Sequence, residues 1–156
     1  MLDRLYIVLK YITVVLFATV VVITSAQVIA RYVFNNSFVW AEELARYVFI
    51  WATMIATGLG FRQGSHLTLS LLTDRLKPKA NLFVLLLGEI VIVVFLFTLI
   101  IYGMKIVSMN FTITSAAMKI PLAIPYLGIP FGGAIILIFN LEMVIKKISS
   151  LLKEIR

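Results

Sequence analysis

Twenty consecutive residues, Tyr11 to Ala30, carry no charge. A helix of about that length crosses the ~30 Å hydrocarbon core of a bilayer, where irregular backbone would leave N–H and C=O groups without partners. The run exceeds the ~7–15-residue apolar core of a secretory signal peptide. It therefore reads as a permanent first span behind a short head, Met1 to Lys10. It ends at Arg31, and Tyr32 to Phe38, containing Asn35, Asn36 and Ser37, reads as a tight turn into a second span. Over all 156 residues, 62% are hydrophobic, 13% are charged and mean hydropathy is +1.09. Too little polar sequence remains to cover a soluble domain of this size.

The second span is the most informative. Its charge-free part, Tyr47 to Phe61, is only 15 residues, so the helix must begin earlier and carry Glu42, Glu43 and Arg46 to the membrane edge or inside it. At 100° per residue, Glu42, Arg46, Thr53, Ala56, Thr57 and Gly60 share one arc, and Leu44, Tyr47, Val48, Trp51, Ile55 and Leu59 lie opposite. Small and polar residues are what helices use to pack on one another in lipid. The expectation is that the arc with Ala56 and Gly60 docks against protein while Leu44, Ile55 and Leu59 face lipid.

Gly64 and Ser65 break this helix, and 65–77, with Leu69, Leu72 and Leu76 on one face, reads as an interfacial amphipathic helix. A third span over 80–104 carries one charge, Glu89, and Lys105 to Lys119 reads as a loop. A fourth, over 121–143, opens on Pro121, Pro125 and Pro130, with Gly128, Gly132 and Gly133 permitting close helix contact. The basic tail, 146–156, reads as a second interfacial helix. The chain is thus expected to be a single all-α membrane domain, 1–156, with four spans at about 9–30, 41–62, 80–104 and 121–143. Ten Lys and Arg residues fall on the side of the termini and four on the other. The positive-inside rule then puts both termini in the cytoplasm.

The charges point to structure before chemistry. Arg46 is spaced to neutralise Glu42 or Glu43 within the helix, and Glu89 is expected to meet Arg62 or His66. His66 is the only histidine and cysteine is absent, which rules out thiolate chemistry and a bis-histidine haem site within this chain. Trp40 and Tyr126 read as interfacial anchors. The net charge of +7 sits between and after apolar segments, which suits topology and anionic lipid better than nucleic acid. No catalytic, cofactor-binding or metal-ligating residue is expected. Candidate structural or partner-packing residues are Trp40, Glu42, Glu43, Arg46, Ala56, Gly60, Arg62, His66 and Glu89.

The pattern W-x-E-E-x-x-R over Trp40, Glu42, Glu43 and Arg46, followed by Trp51, Gly58 and R-x-G-x-H over Arg62, Gly64 and His66, resembles the small membrane subunit of tripartite ATP-independent periplasmic transporters. The proline-bearing start of the fourth span, with Pro121 and Tyr126, is similar to that family too. The resemblance implies a multi-pass protein of the bacterial inner membrane. In such systems a periplasmic substrate-binding protein delivers an organic acid, such as a sialic acid or a C4-dicarboxylate. A large multispanning permease subunit moves it with sodium ions, which belong to that subunit and not to this one. The small subunit serves mainly as scaffold, and this chain lacks the paired broken helices of a midplane substrate site. Two rivals remain: a small four-helix exporter, which by resemblance would need a carboxylate in the first span, and a membrane anchor of a redox enzyme, which would need more histidines.

Overall fold

A computed structural model describes residues 2–63 and 78–155. The expected interfacial helix over 65–77, and with it His66, lies outside the described residues. The elements are α1, Leu2–Tyr32; α2, Val39–Arg62; α3, Pro78–Met109; a single turn α4, Ala123–Tyr126; and α5, Gly128–Ile155. Among the described residues, four helices are long and apolar enough to cross a membrane, and β pairing is confined to an isolated bridge between Thr114 and Pro121.

The ends of the helices follow local chemistry. After Tyr32, Asn35 takes a left-handed φ of 49°, a conformation Asn tolerates better than most residues. Pro78 opens α3, where its missing N–H costs nothing. Pro130 sits in the first turn of α5 for the same reason. Two expected boundaries move outward. Lys105 to Met109, expected in a loop, belongs to α3, because nothing breaks the helix before Asn110, whose Nδ2 donates to Ile106 O at 2.8 Å. The expected separate helix over 146–156 is, through Ile155, the unbroken continuation of α5, whose 28 residues extend about 42 Å.

Residue pairings fix the helix directions. Phe17 stacks edge-on against Phe49 and Asp3 meets Arg62, so α1 and α2 run antiparallel. Gly128 lies against Trp51, Gly132 against Met54 and Ile135 against Gly58, so α2 and α5 run parallel. Gly103 meets Pro130 and Gly133 meets Leu99, so α3 runs antiparallel to α5. The helices are therefore laid side by side in the order α1, α2, α5, α3. The start of α1 and residues around Glu142 of α5 share one end of the molecule, through Arg62. The core sits where α1, α2 and α5 converge: Leu9, Ile55, Leu59, Ile135 and Phe139, flanked by Tyr6, Leu16 and Trp51.

The glycine-rich start of the fourth span does what the sequence suggests. A Cβ on Gly132 would lie 2.5 Å from Met54 Cβ, and one on Gly58 would lie 2.6 Å from Ile135 Cγ2, so α2 and α5 approach more closely than any larger residue would permit. For α2 the expectation fails on one side: Ile55 and Leu59 do not face outward, while the arc with Ala56 and Gly60, expected to dock against protein, lies outside the chain's own core. Ile55 and Leu59, expected in lipid, are buried in the core, whereas Gly60 has open space around it and Glu42, Arg46 and Thr57 are exposed. Ala41, Ala45 and Ala52 share the buried side with Ile55 and Leu59. In so apolar a helix, shape decides which face is buried, and the branched residues fill the wedge between α1 and α5.

Candidate functional site

Three polar constellations tie the helices together, one near each end of the molecule and one between α3 and α5. At the end shared by α1 and α5, Arg62, the last residue of α2, donates from Nε to Glu142 Oε2 at 3.0 Å and from Nη2 to Glu142 Oε1 at 3.4 Å. Nη2 also donates to Asp3 Oδ1. The guanidinium lies 4.9 Å from the Tyr6 ring centroid and 5.4 Å from that of Phe139, within cation–π range. Gln63 Nε2 donates to the Tyr6 hydroxyl at 2.6 Å. Side-chain exposure is 14% for both Arg62 and Glu142 but 85% for Asp3, so the Arg62–Glu142 bridge is the sheltered member. Beside it lies a cleft of about 280 Å³ lined by Tyr6, Arg62, Gln63, Glu142 and Met143.

At the other end, the two carboxylates of α2 divide their work. Glu42 accepts from Arg46 Nη2 at 3.0 Å, one helical turn on, with both side chains exposed. Glu43 turns instead to the connection between α3 and α4, where its two oxygens accept the backbone N–H groups of Ala117 and Met118 at 3.0 Å each. That connection is already folded on itself: Ser115 N–H donates to Ile120 O at 2.8 Å and Leu122 N–H to Ile113 O at 2.9 Å. Lys119 takes a left-handed φ of 57°. Trp51 pins the next turn by donating from Nε1 to Ile124 O at 3.2 Å, its ring centroid 5.5 Å from that of Phe131. A carboxylate on two main-chain donors holds a loop as a capping residue holds a helix end.

The third constellation is internal. Asn140 of α5 is fully buried and donates from Nδ2 to Glu89 Oε1 on α3. Of the two contacts expected for Glu89, the one with Arg62 does not form, because α5 lies between α2 and α3 and supplies Glu142 to Arg62 and Asn140 to Glu89, and the one with His66 lies outside the described residues. Trp40 is half-exposed beside Phe38 at the start of α2, as an interfacial anchor would be. Ala56 and Gly60 face outward with Arg46.

Asp3, Tyr6, Glu142 and Asn140 were not singled out from the sequence. For Asn140 a signal existed: it and Glu89 are isolated polar groups deep in spans three and four, and neighbouring spans pair such groups. Among the described residues, no three of His, Asp and Glu gather where a metal could be held. What the arrangement can do is mechanical, since each cluster joins helices or fastens a loop.

Residues 20–150 match the family described as tripartite ATP-independent periplasmic transporters, DctQ component. The chain is 26% identical over 143 residues to the sialic acid TRAP transporter small permease protein SiaQ of Vibrio cholerae, covering 92% of this chain and 83% of that protein. It is 29% identical over 101 residues to the C4-dicarboxylate TRAP transporter small permease protein DctQ of Rhodobacter capsulatus, covering 64% of this chain and 44% of that one. It is also 28% identical over 94 residues to the isethionate TRAP transporter permease protein DctMQ of Oleidesulfovibrio alaskensis, covering 59% of this chain but 15% of that much longer protein. With the family match spanning most of its length and four helices fit to cross a bilayer, the chain belongs to the DctQ components of the tripartite ATP-independent periplasmic transporters, a multi-pass transporter subunit of the inner membrane and not an enzyme.

Proposed function

We propose that this chain is the scaffold of a sodium-coupled permease that takes up an organic acid. It supports a large multispanning subunit that carries the substrate and sodium sites, and a periplasmic binding protein supplies the substrate. The observation that carries the reading is how the charged groups of the helices are used. Arg46 is taken by Glu42, Arg62 by Glu142 and Asp3, Glu43 by the Ala117–Met118 backbone, and Glu89 has Asn140. A transport pathway needs groups that exchange partners, whereas these are committed to contacts within the chain. The relatives are named for sialic acid, isethionate and C4-dicarboxylate. All are small organic acids, which supports the substrate class and leaves its selection to the large subunit. The shared end of α1 and α5 and the ten-to-four partition of Lys and Arg support cytoplasmic termini.

The test is uptake of the organic acid by proteoliposomes holding normalised amounts of intact complex, with sodium and the binding protein supplied. Variants at Glu42, Glu43, Arg46 and Glu89 should lose uptake only as far as they lose assembly. A fully assembled complex that no longer transports would move that residue into the pathway and overturn the scaffold reading.

A further inference from the structure

We infer that the outward arc of α2, from Glu42 through Arg46, Thr53 and Thr57 to Gly60, is the seat of a transmembrane helix of the large permease subunit, an inference that rests on the scaffold reading above. The arc is the side of α2 that the chain leaves open. Cβ atoms built on Gly58, Gly128 and Gly132 would meet neighbouring side chains within 3.2 Å, whereas one on Gly60 meets nothing within 4 Å. Gly88 of α3 is equally open, but its face carries the bulky Val91, Phe95 and Tyr102, whereas Gly60 shares its face with an ion pair.

The chemistry of the arc differs from that of the other outward faces. The exposed surfaces of α1 and α3 are mainly aliphatic and aromatic, with Val15, Val22 and Ile29 on one and Val94, Phe97 and Ile101 on the other, and their exposed Thr24 and Thr98 bond their own backbones with no ion pair beside them among the described residues. The arc instead offers an ion pair with side chains 64% and 68% exposed, then two threonines and a glycine. Thr53 and Thr57 donate their hydroxyls to the carbonyls of Phe49 and Thr53 at 2.8 Å, so neither group protrudes, and the helix surface is low from Thr53 to Gly60. Lipid gains nothing from such a surface, whereas a second helix can bring its backbone close to it and place a polar side chain beside Arg46.

Length identifies the kind of occupant. Glu42 to Gly60 extends about 27 Å, close to the ~30 Å hydrocarbon thickness. A soluble protein or a lipid headgroup would engage only one end, and a membrane-spanning helix engages all of it. The source of that helix follows from the isethionate permease relative, in which the matched sequence makes up 15% of one much longer permease chain. The matched segment there is covalently joined to a far larger transport protein, so the neighbour of this fold is a permease. The occupant then presents a small residue opposite Gly60 and a hydrogen-bonding group near Arg46.

The experiment uses the small subunit co-expressed with its large permease subunit in membranes. A photo-crosslinking amino acid at Thr57 should join the two subunits, and the same group at Val94 should not. Gly60→Leu should lower co-purification of the large subunit at least tenfold, while the SDS-induced unfolding midpoint of the isolated small subunit does not fall, because a Cβ at this position meets nothing within 4 Å among the described residues. Crosslinks from Thr57 to a second small subunit or to lipid, or undiminished co-purification of Gly60→Leu, would overturn the surface. Failure of the unaltered subunits to co-purify at all would instead overturn the scaffold reading on which it rests.

Discussion

Replacing Gly132 by Ala tests the central seam of the fold with a single methyl group. An ideal Cβ at this position would lie 2.5 Å from Met54 Cβ, 3.0 Å from Met54 Cε and 3.2 Å from Met54 backbone C. Cε could swing aside, but Cβ is fixed to the α2 backbone. Carbon atoms rest about 3.5–4 Å apart, so α2 and α5 must separate by roughly 1 Å along their contact. Overpacking of this kind costs about 1–3 kcal/mol. Against it stands the helix preference of Ala over Gly, at most about 1 kcal/mol. The balance is a loss of about 1 kcal/mol. Gly60→Ala has the same intrinsic gain and no neighbour to strike, so it should be neutral or stabilising. The two variants should differ by about 2 kcal/mol, some thirtyfold in the unfolding equilibrium. SDS titration of the isolated subunit, followed by helical circular dichroism, reads the difference. Met54→Ala should not rescue Gly132→Ala, because the offending Cβ remains. Equal stability of Gly132→Ala and Gly60→Ala would refute the close α2–α5 packing.

Glu142→Gln should destabilise the subunit more than Asp3→Asn in the same titration, because the Arg62–Glu142 bridge is sheltered and Asp3 is solvated. Glu43→Ala should release the α3–α4 connection, seen as faster hydrogen exchange at the Ala117 and Met118 amides with little change at Leu96 in the helix interior. Trp51→Phe should keep the contact with Phe131 and lose the bond to Ile124 O, at a cost of about 1 kcal/mol. A cysteine placed at Asn110 should react with an impermeant thiol reagent on whole cells and one at Lys153 should not, as cytoplasmic termini require.

The architecture was legible because membrane spans are written in length and charge. Tyr11 to Ala30 could only be a spanning helix, and the Gly132–Gly133 pair announced a close crossing before any partner was known. That Arg46 meets a carboxylate of its own helix was equally plain, since i,i+3 and i,i+4 spacings are local to one helix. What local pattern cannot carry is the identity of a partner on another helix. Arg62 lies 59 positions from Asp3 and 80 from Glu142. Several charges near both ends of the spans were formally available to it, and only the parallel packing of α2 on α5 selected Glu142. Spacing leaves Arg46 open to Glu42 or Glu43 for the same reason, because the fold of the connecting loop, which turns two N–H groups towards Glu43, is not encoded in the helix itself.

The burial of Ile55 and Leu59 on α2 shows where the reasoning from polarity gave way. In water, the polar side of a helix is its outer side; in lipid that rule loses its force, and small or polar residues mark contact with protein, in the same chain or in a partner. The structure contains both cases on one helix. Gly58 is used within the chain, against Ile135, and Gly60 is left open two residues later, about 200° further round the axis. On the scaffold reading proposed above, the subunit needs two such seams, one to close its own fold and one to present to its neighbour. Sequence periodicity marks both as small and cannot rank them. The bulky residues between them decide, because Ile55 and Leu59 can fill the wedge made by α1 and α5 only if Gly60 faces away from it.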